Sequence, residues 1–144
     1  MTHEDAGHYA AKHGPGTKID SRIADAIKKK MADQKITCAT MHGISKSIGV
    51  SPSEVGRNAD LLEVRLIKCQ LGLFGYEPEK KIVTPAEEVA LDISNTIQES
   101  VENNRVSCAS CWDIAEKLNC SKMNISAACE KLGIKISPCQ LGAF

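Results

Sequence analysis

No stretch of this sequence approaches the roughly 18 consecutive apolar residues that a membrane-spanning helix needs, and its start lacks the basic-then-apolar pattern of a secretory signal. These absences predict a cytoplasmic chain with no membrane partner. Net charge is missing too: 18 Lys and Arg balance 18 Asp and Glu, and a pI near 6.9 gives no global pull towards nucleic acid. There is no Gly-rich phosphate loop, no HExxH and no nucleophile elbow, so the chain is expected to be a non-enzyme without a cofactor. Seven cysteines, an odd number, fit reduced thiols better than a disulfide framework.

What is present is a duplication. The 144 residues, 42% apolar and 25% charged, suffice for one ordinary globular domain or two very small ones. Sliding the chain by 70 positions aligns 36–74 with 106–144 without a gap, and ten of the 39 pairs are identical, where chance gives about two or three. The identities include a shared Cys-Gln-Leu-Gly run at Cys69 and Cys139 and the phenylalanines Phe74 and Phe144. The expected organisation is an N-terminal arm over 1–17, a first repeat over 18–75, a Pro-containing linker over 76–87 and a second repeat over 88–144. Ile82-Val83 of the linker is expected to dock on a repeat.

Neutrality hides an asymmetry between the copies. Residues 18–75 carry ten basic and six acidic side chains, net +4, whereas 76–144 carry seven and ten, net −3. The first copy is basic and the second mildly acidic.

Each copy opens with apolar residues every four positions, Ile19, Ile23, Ile27 and Met31 facing Val89, Ile93, Ile97 and Val101, the stripe of an amphipathic helix. A β-branched stretch around Ile36 or Val106 predicts a short strand. A second helix then runs to Ile48, where Gly49-Val50-Ser51 makes a sharp break. Ser51-Pro52-Ser53-Glu54 combines an N-cap hydroxyl, Pro at the first helical position and a Glu placed to reach back to the cap, a strong start signal for a third helix. A strand over 64–68 follows, ending at Cys69.

This order, with the run from Ile44 through Gly49-Val50-Ser51-Pro52 to Arg57, resembles the winged helix-turn-helix of bacterial and archaeal transcription regulators, including the DNA-binding half of ModE-type proteins. The resemblance covers about 40 residues per copy. It implies a mainly α fold with short β-strands, built as tandem duplicated winged helix-turn-helix domains. It also implies a DNA-binding transcription regulator whose first-repeat recognition helix enters the major groove, with double-stranded DNA as partner and a homodimer reading paired half-sites. Ser53, Arg57 and Asn58 are the expected base-reading residues, with Lys46, Arg65 and Lys68 on phosphates. The second copy departs from the signature, with Asn119-Cys120-Ser121 at its turn and no acidic capping partner. Weaker DNA contacts are expected from Lys122 and Asn124, and the second repeat is otherwise assigned to dimerisation or a protein partner.

Two alternatives belong to other classes: a protein-interaction adaptor, and a cysteine-based metal or redox sensor. Cys111, Cys120 and Cys129 face Met41, Val50 and Ala59 in the alignment and are read as ordinary apolar positions. Cys38, Cys69, Cys108 and Cys139 recur in both copies, so they are the set that a thiol or metal site would use; core packing is the plainer reading. Trp112 is expected to pack against the second helix, Phe74 and Phe144 to plug the gap beneath each wing, and the arm with His3, His8, Tyr9, Lys12 and His13 to be mobile or, through Tyr9, Lys12 and His13, to reach the minor groove or a partner.

Overall fold

The computed structural model describes residues 8–144, so His3 of the arm lies outside the described residues. The first half runs from α1 (Ser21–Lys30) through β1 (Lys35–Thr37), α2 (Cys38–Ile48) and α3 (Pro52–Leu61) to β2 (Arg65–Ile67). The second runs in the same order through α4 (Leu91–Ser100), β3 (Arg105–Val106), α5 (Cys108–Lys117), α6 (Lys122–Leu132) and β4 (Lys135–Ile136). The chain is mainly helical, with short strands.

Local chemistry explains most boundaries. Helix α1 begins later than the apolar spacing indicates, because the Asp20 carboxylate accepts from the Arg22 and Ile23 amides and caps it, leaving Ile19 outside and exposed. Thr37 caps α2 by accepting from the Thr40 amide at 3.1 Å, and Ser107 does the same for α5 through Ser110 at 3.0 Å. Gly49, at φ 82°, closes α2, and the Ser45 hydroxyl donates to the Val50 carbonyl at 2.6 Å, fixing the turn into α3. The capping box at the start of α3 is complete: the Glu54 amide donates to Ser51 Oγ and the Ser51 amide to the Glu54 carboxylate.

The strands pair, but in parallel. Lys35, Ile36 and Thr37 face Arg65, Leu66 and Ile67, and Arg105 and Val106 face Lys135 and Ile136. A wing would need an antiparallel return after the third helix. Here the chain instead leaves β2 at Lys68, in the left-handed region at φ 52°, and enters a loop over 69–75. Each half buries its own helical stripe, Ile23, Ile27, Met41, Ile44 and Val55 in the first and Ile97, Cys111, Ile114 and Ile125 in the second. Each such aliphatic side chain contributes about 1.5–3 kcal/mol of burial.

The two Cys-Gln-Leu-Gly loops are exchanged between the halves. Gly56 of α3 lies so close to the Leu141 carbonyl that any Cβ there would overlap it. Reciprocally, Gly72 packs on α6, where a Cβ would come within 2.6 Å of Met123 Sδ. The Gly56 contact needs a missing side chain because it meets backbone, whereas at Gly72 the neighbour is the flexible end of the Met123 side chain. The phenylalanines that follow these loops meet each other edge to face, with centroids 5.7 Å apart. They meet at the junction between the halves, Phe74 buried and Phe144 40% exposed, rather than each closing the base of a separate domain.

Phe74 and Phe144 are equivalent positions of the duplication, and so are His42 and Trp112, whose rings lie 4.2 Å apart. A residue can touch its own symmetry mate only close to the symmetry axis. The contacts therefore mark a pseudo-two-fold axis passing between α2 and α5.

The linker and arm are tied down. The Ile82 and Val83 amides donate to the Gly72 carbonyl, Val83 is buried whereas Ile82 stays 39% exposed, and the Ala86 amide donates to the Ala127 carbonyl of α6. The described part of the arm does not hang free: a 3-10 turn (Tyr9–Lys12) docks on the end of α3, with Tyr9 buried and the Tyr9 and Ala10 amides donating to the Glu63 carboxylate. Lys12 and His13 both pair with Asp60, and Lys12 also donates to the Gly142 carbonyl. An arm so bonded cannot also reach a minor groove through Tyr9, Lys12 and His13.

Candidate functional site

Helix α3 follows a tight turn from α2, as a recognition helix requires, and its outward face carries exposed Ser53 with half-buried Arg57, Glu54 and Leu61. Ser53 Oγ shares a hydrogen bond with Ser51 Oγ at 3.1 Å. Lys46 is exposed on α2, one turn before the break.

Asn58 is not on that face, which corrects its assignment as a base reader. It is fully buried, its Nδ2 donates to the Glu54 carbonyl at 2.8 Å, and its Oδ1 accepts from the Asp20 amide at 2.7 Å. Its polar capacity is spent joining α3 to the start of α1. The sequence carried a signal for this: position 58 is three residues after Val55 and four before Leu62, on the apolar stripe.

The cations expected on phosphates stand on α2, on β2 and just after β2. Arg65 is half-buried on β2 with its Nε lacking a partner among the described residues, while Lys68 is exposed where the chain leaves β2. In the second half, Lys122 lies over the Trp112 ring, its Nζ 4.3 Å from the centroid, and Asn124 is exposed with its amide bonded to the Ser121 cap.

The four shared cysteines do converge. Burial pushes the Cys38 thiol up to about 12, and repulsion from Cys69, Cys139 and Cys108 adds to it. Burial also raises Cys69 and Cys108, against hydrogen bonds that favour their thiolates. Gln140 Nε2 donates to Cys108 Sγ and the Leu141 amide to Cys139 Sγ, each at 3.4 Å. Cys38, Cys69 and Cys108, their thiols raised by burial, pack the junction. Among the described residues no group of three or more His, Cys, Asp or Glu is placed to hold a metal ion. Cys111 and Cys129 form a separate buried pair, and their shared hydrogen bond, with burial, raises Cys111.

A groove of about 850 Å³ opens on the pseudo-two-fold axis, and sequence reasoning did not find it. Equivalent positions line it from the two sides: His42 and Trp112, Lys46 and Glu116, Gln70 and Gln140 among them. Pro52 and Lys122, the first residues of α3 and α6, stand at its edge. His42 is held neutral down to about 4, mainly by burial, with the charges of Lys122 and Lys46 adding to it. The only sequence signal was the pairing of an imidazole with an indole at aligned positions.

The sequence matches no family model and no curated protein, and the chain matches no solved structure. Among the described residues no helix is long and apolar enough to cross a membrane.

Proposed function

We propose that this chain is a DNA-binding transcription regulator that engages duplex DNA through the helix-turn-helix of its first repeat. The observation that carries the reading is the α2–α3 unit itself: a turn fixed by Gly49 and Ser45, a fully capped third helix, and Ser53 and Arg57 on its outward side with Lys46 exposed on the preceding helix. Arg57 supplies the two-pronged contact suited to guanine, and Lys46 neutralises phosphate. The net +4 of 18–75 favours the first repeat for this role over the second. Of the winged-helix features, the helix-turn-helix supports the proposal and the parallel strand pairing does not contribute to it.

The first residues of α3 and α6 border the same groove, whereas paired half-sites need recognition helices about 34 Å apart. One chain therefore reads one site, and paired sites need a second copy. Homodimerisation is part of the proposal, with Leu91, 76% exposed on α4, offering apolar surface on the second repeat. A light-scattering mass of two chains at micromolar concentration supports it, and a mass of one counts against it.

The test is binding to random-sequence duplex pools across a salt series. The expected result is affinity that falls with salt and a sequence preference lost in Arg57→Ala. Binding without a salt slope, or none, refutes the proposal.

A further inference from the structure

The axial groove has features that the duplex reading does not use. Its volume, about 850 Å³, lies within the range of small-molecule sites, and its walls come from both halves, so the exchanged loops hold its shape. Among its buried lining atoms, His42 Nε2 and Trp112 Nε1 have no hydrogen-bond partner among the described residues. A buried polar atom left unpaired is costly, and two in one groove call for a partner that the protein does not itself supply.

The donor and acceptor inventory says what that partner must offer. Indole Nε1 and the amines of Lys46 and Lys122 only donate, and neither lysine is in an ion pair among the described residues. The ligand must therefore bring acceptors, preferably anionic ones. Asp113 and Glu116, exposed on the α5 wall, only accept when ionised and repel a bare polyanion. Hydroxyl groups satisfy them. The indole packs against His42 and Lys122, so a flat aromatic molecule gains little stacking there.

We propose that the axial groove binds a small hydroxylated organic anion, a sugar phosphate or a sugar acid. Its charged group lies towards Lys122 and Lys46, and its hydroxyls lie towards Asp113 and Glu116. Trp112 Nε1 donates to one of its acceptors, and His42 Nε2 pairs with one of its hydroxyls.

Trp112 is the sole tryptophan of the sequence, so its emission reports on this groove directly. The full chain is titrated with glucose 6-phosphate and gluconate, with inorganic phosphate and glucose as controls, and thermal midpoint shifts are recorded in parallel. The expected result is a saturable emission change and a raised midpoint with at least one hydroxylated anion. Half-saturation should weaken about tenfold or more in Lys122→Gln and Lys46→Gln and stay unchanged in Lys29→Gln on α1, outside the groove. The midpoint shift keeps the Lys122→Gln comparison valid, since losing the amine changes the emission by itself. No saturable response to either anion up to about 10 mM overturns the proposal. So does an equal response to inorganic phosphate, or one that the groove variants leave unchanged. No nucleic acid is present, so this failure and failure of the duplex reading are told apart.

Discussion

The two halves meet the same packing problem with different side chains, and at their junction identical loops seat on unlike helices. At one third-helix position the first half has Gly56 under the Leu141 carbonyl, and at the aligned position the second has Ser126, fully buried with its hydroxyl unpaired among the described residues. Where the first half buries Met41 and Ala59, the second buries Cys111 and Cys129. On the axis, His42 meets Trp112 instead of its like. A homodimer must put identical residues against each other at its axis. A duplication within one chain is free of that rule, and here the freedom produces a His-Trp contact, a cation on one side of the groove opposite an acid on the other, and a basic half joined to an acidic one.

The largest effect is expected where the halves lock together. Gly56→Ala places a methyl against backbone that cannot swing aside, so a loss of about 2–4 kcal/mol should appear as a lowered denaturant midpoint. Wild-type stability in that variant would mean the Leu141 loop is not seated on α3.

The axial pair gives the next effect. Because the folded-state pKa of His42 is depressed from 6.5 to about 4, the folded chain binds fewer protons than the unfolded chain between those values. Its contribution is complete above about 6.5 and is lost as pH falls towards about 4, a change on the order of 1–3 kcal/mol. Denaturation curves at stepped pH should show this slope for the native chain and a shallower one for His42→Gln. Burial acts with the opposite sign on Cys38: its raised thiol pKa keeps its contribution whole below about 9 and removes it as pH climbs towards about 12.

A core exchange sharpens the comparison further. Cys111→Met alone overfills the second core and should cost about 1–3 kcal/mol, while adding Cys129→Ala, the first half's own combination, should recover part of it. Purely additive losses would show that the two positions do not share space. Smallest of all is Ser126→Ala, which removes an unpaired hydroxyl and should be neutral or stabilising by up to about 1 kcal/mol in the same assay.

Local features were legible in the sequence because they depend on neighbours along the chain. The helical stripes, the Gly49 turn and the Ser51–Glu54 capping box all act within a few residues, and all are present. Features set by distant partners were not legible. The stripe position of Asn58 was legible, but its bond to the Asp20 amide, 38 positions away, was not, and Tyr9 docks because of Glu63, 54 positions away. The parallel strand pairing and the exchanged loops are of this kind too. Of the site, Ser53, Arg57 and Lys46 could be placed in advance, but the groove could not, because it exists only once two aligned halves close on each other.

Duplex affinity over a salt series, comparing Arg57→Ala with Lys122→Ala, tests most directly the claim that the halves have taken different roles. Arg57→Ala is expected to cost about 1–3 kcal/mol and relax sequence preference, with Lys122→Ala changing affinity far less. Equal losses in the two variants, or a native chain that binds no duplex, would contradict that division of roles.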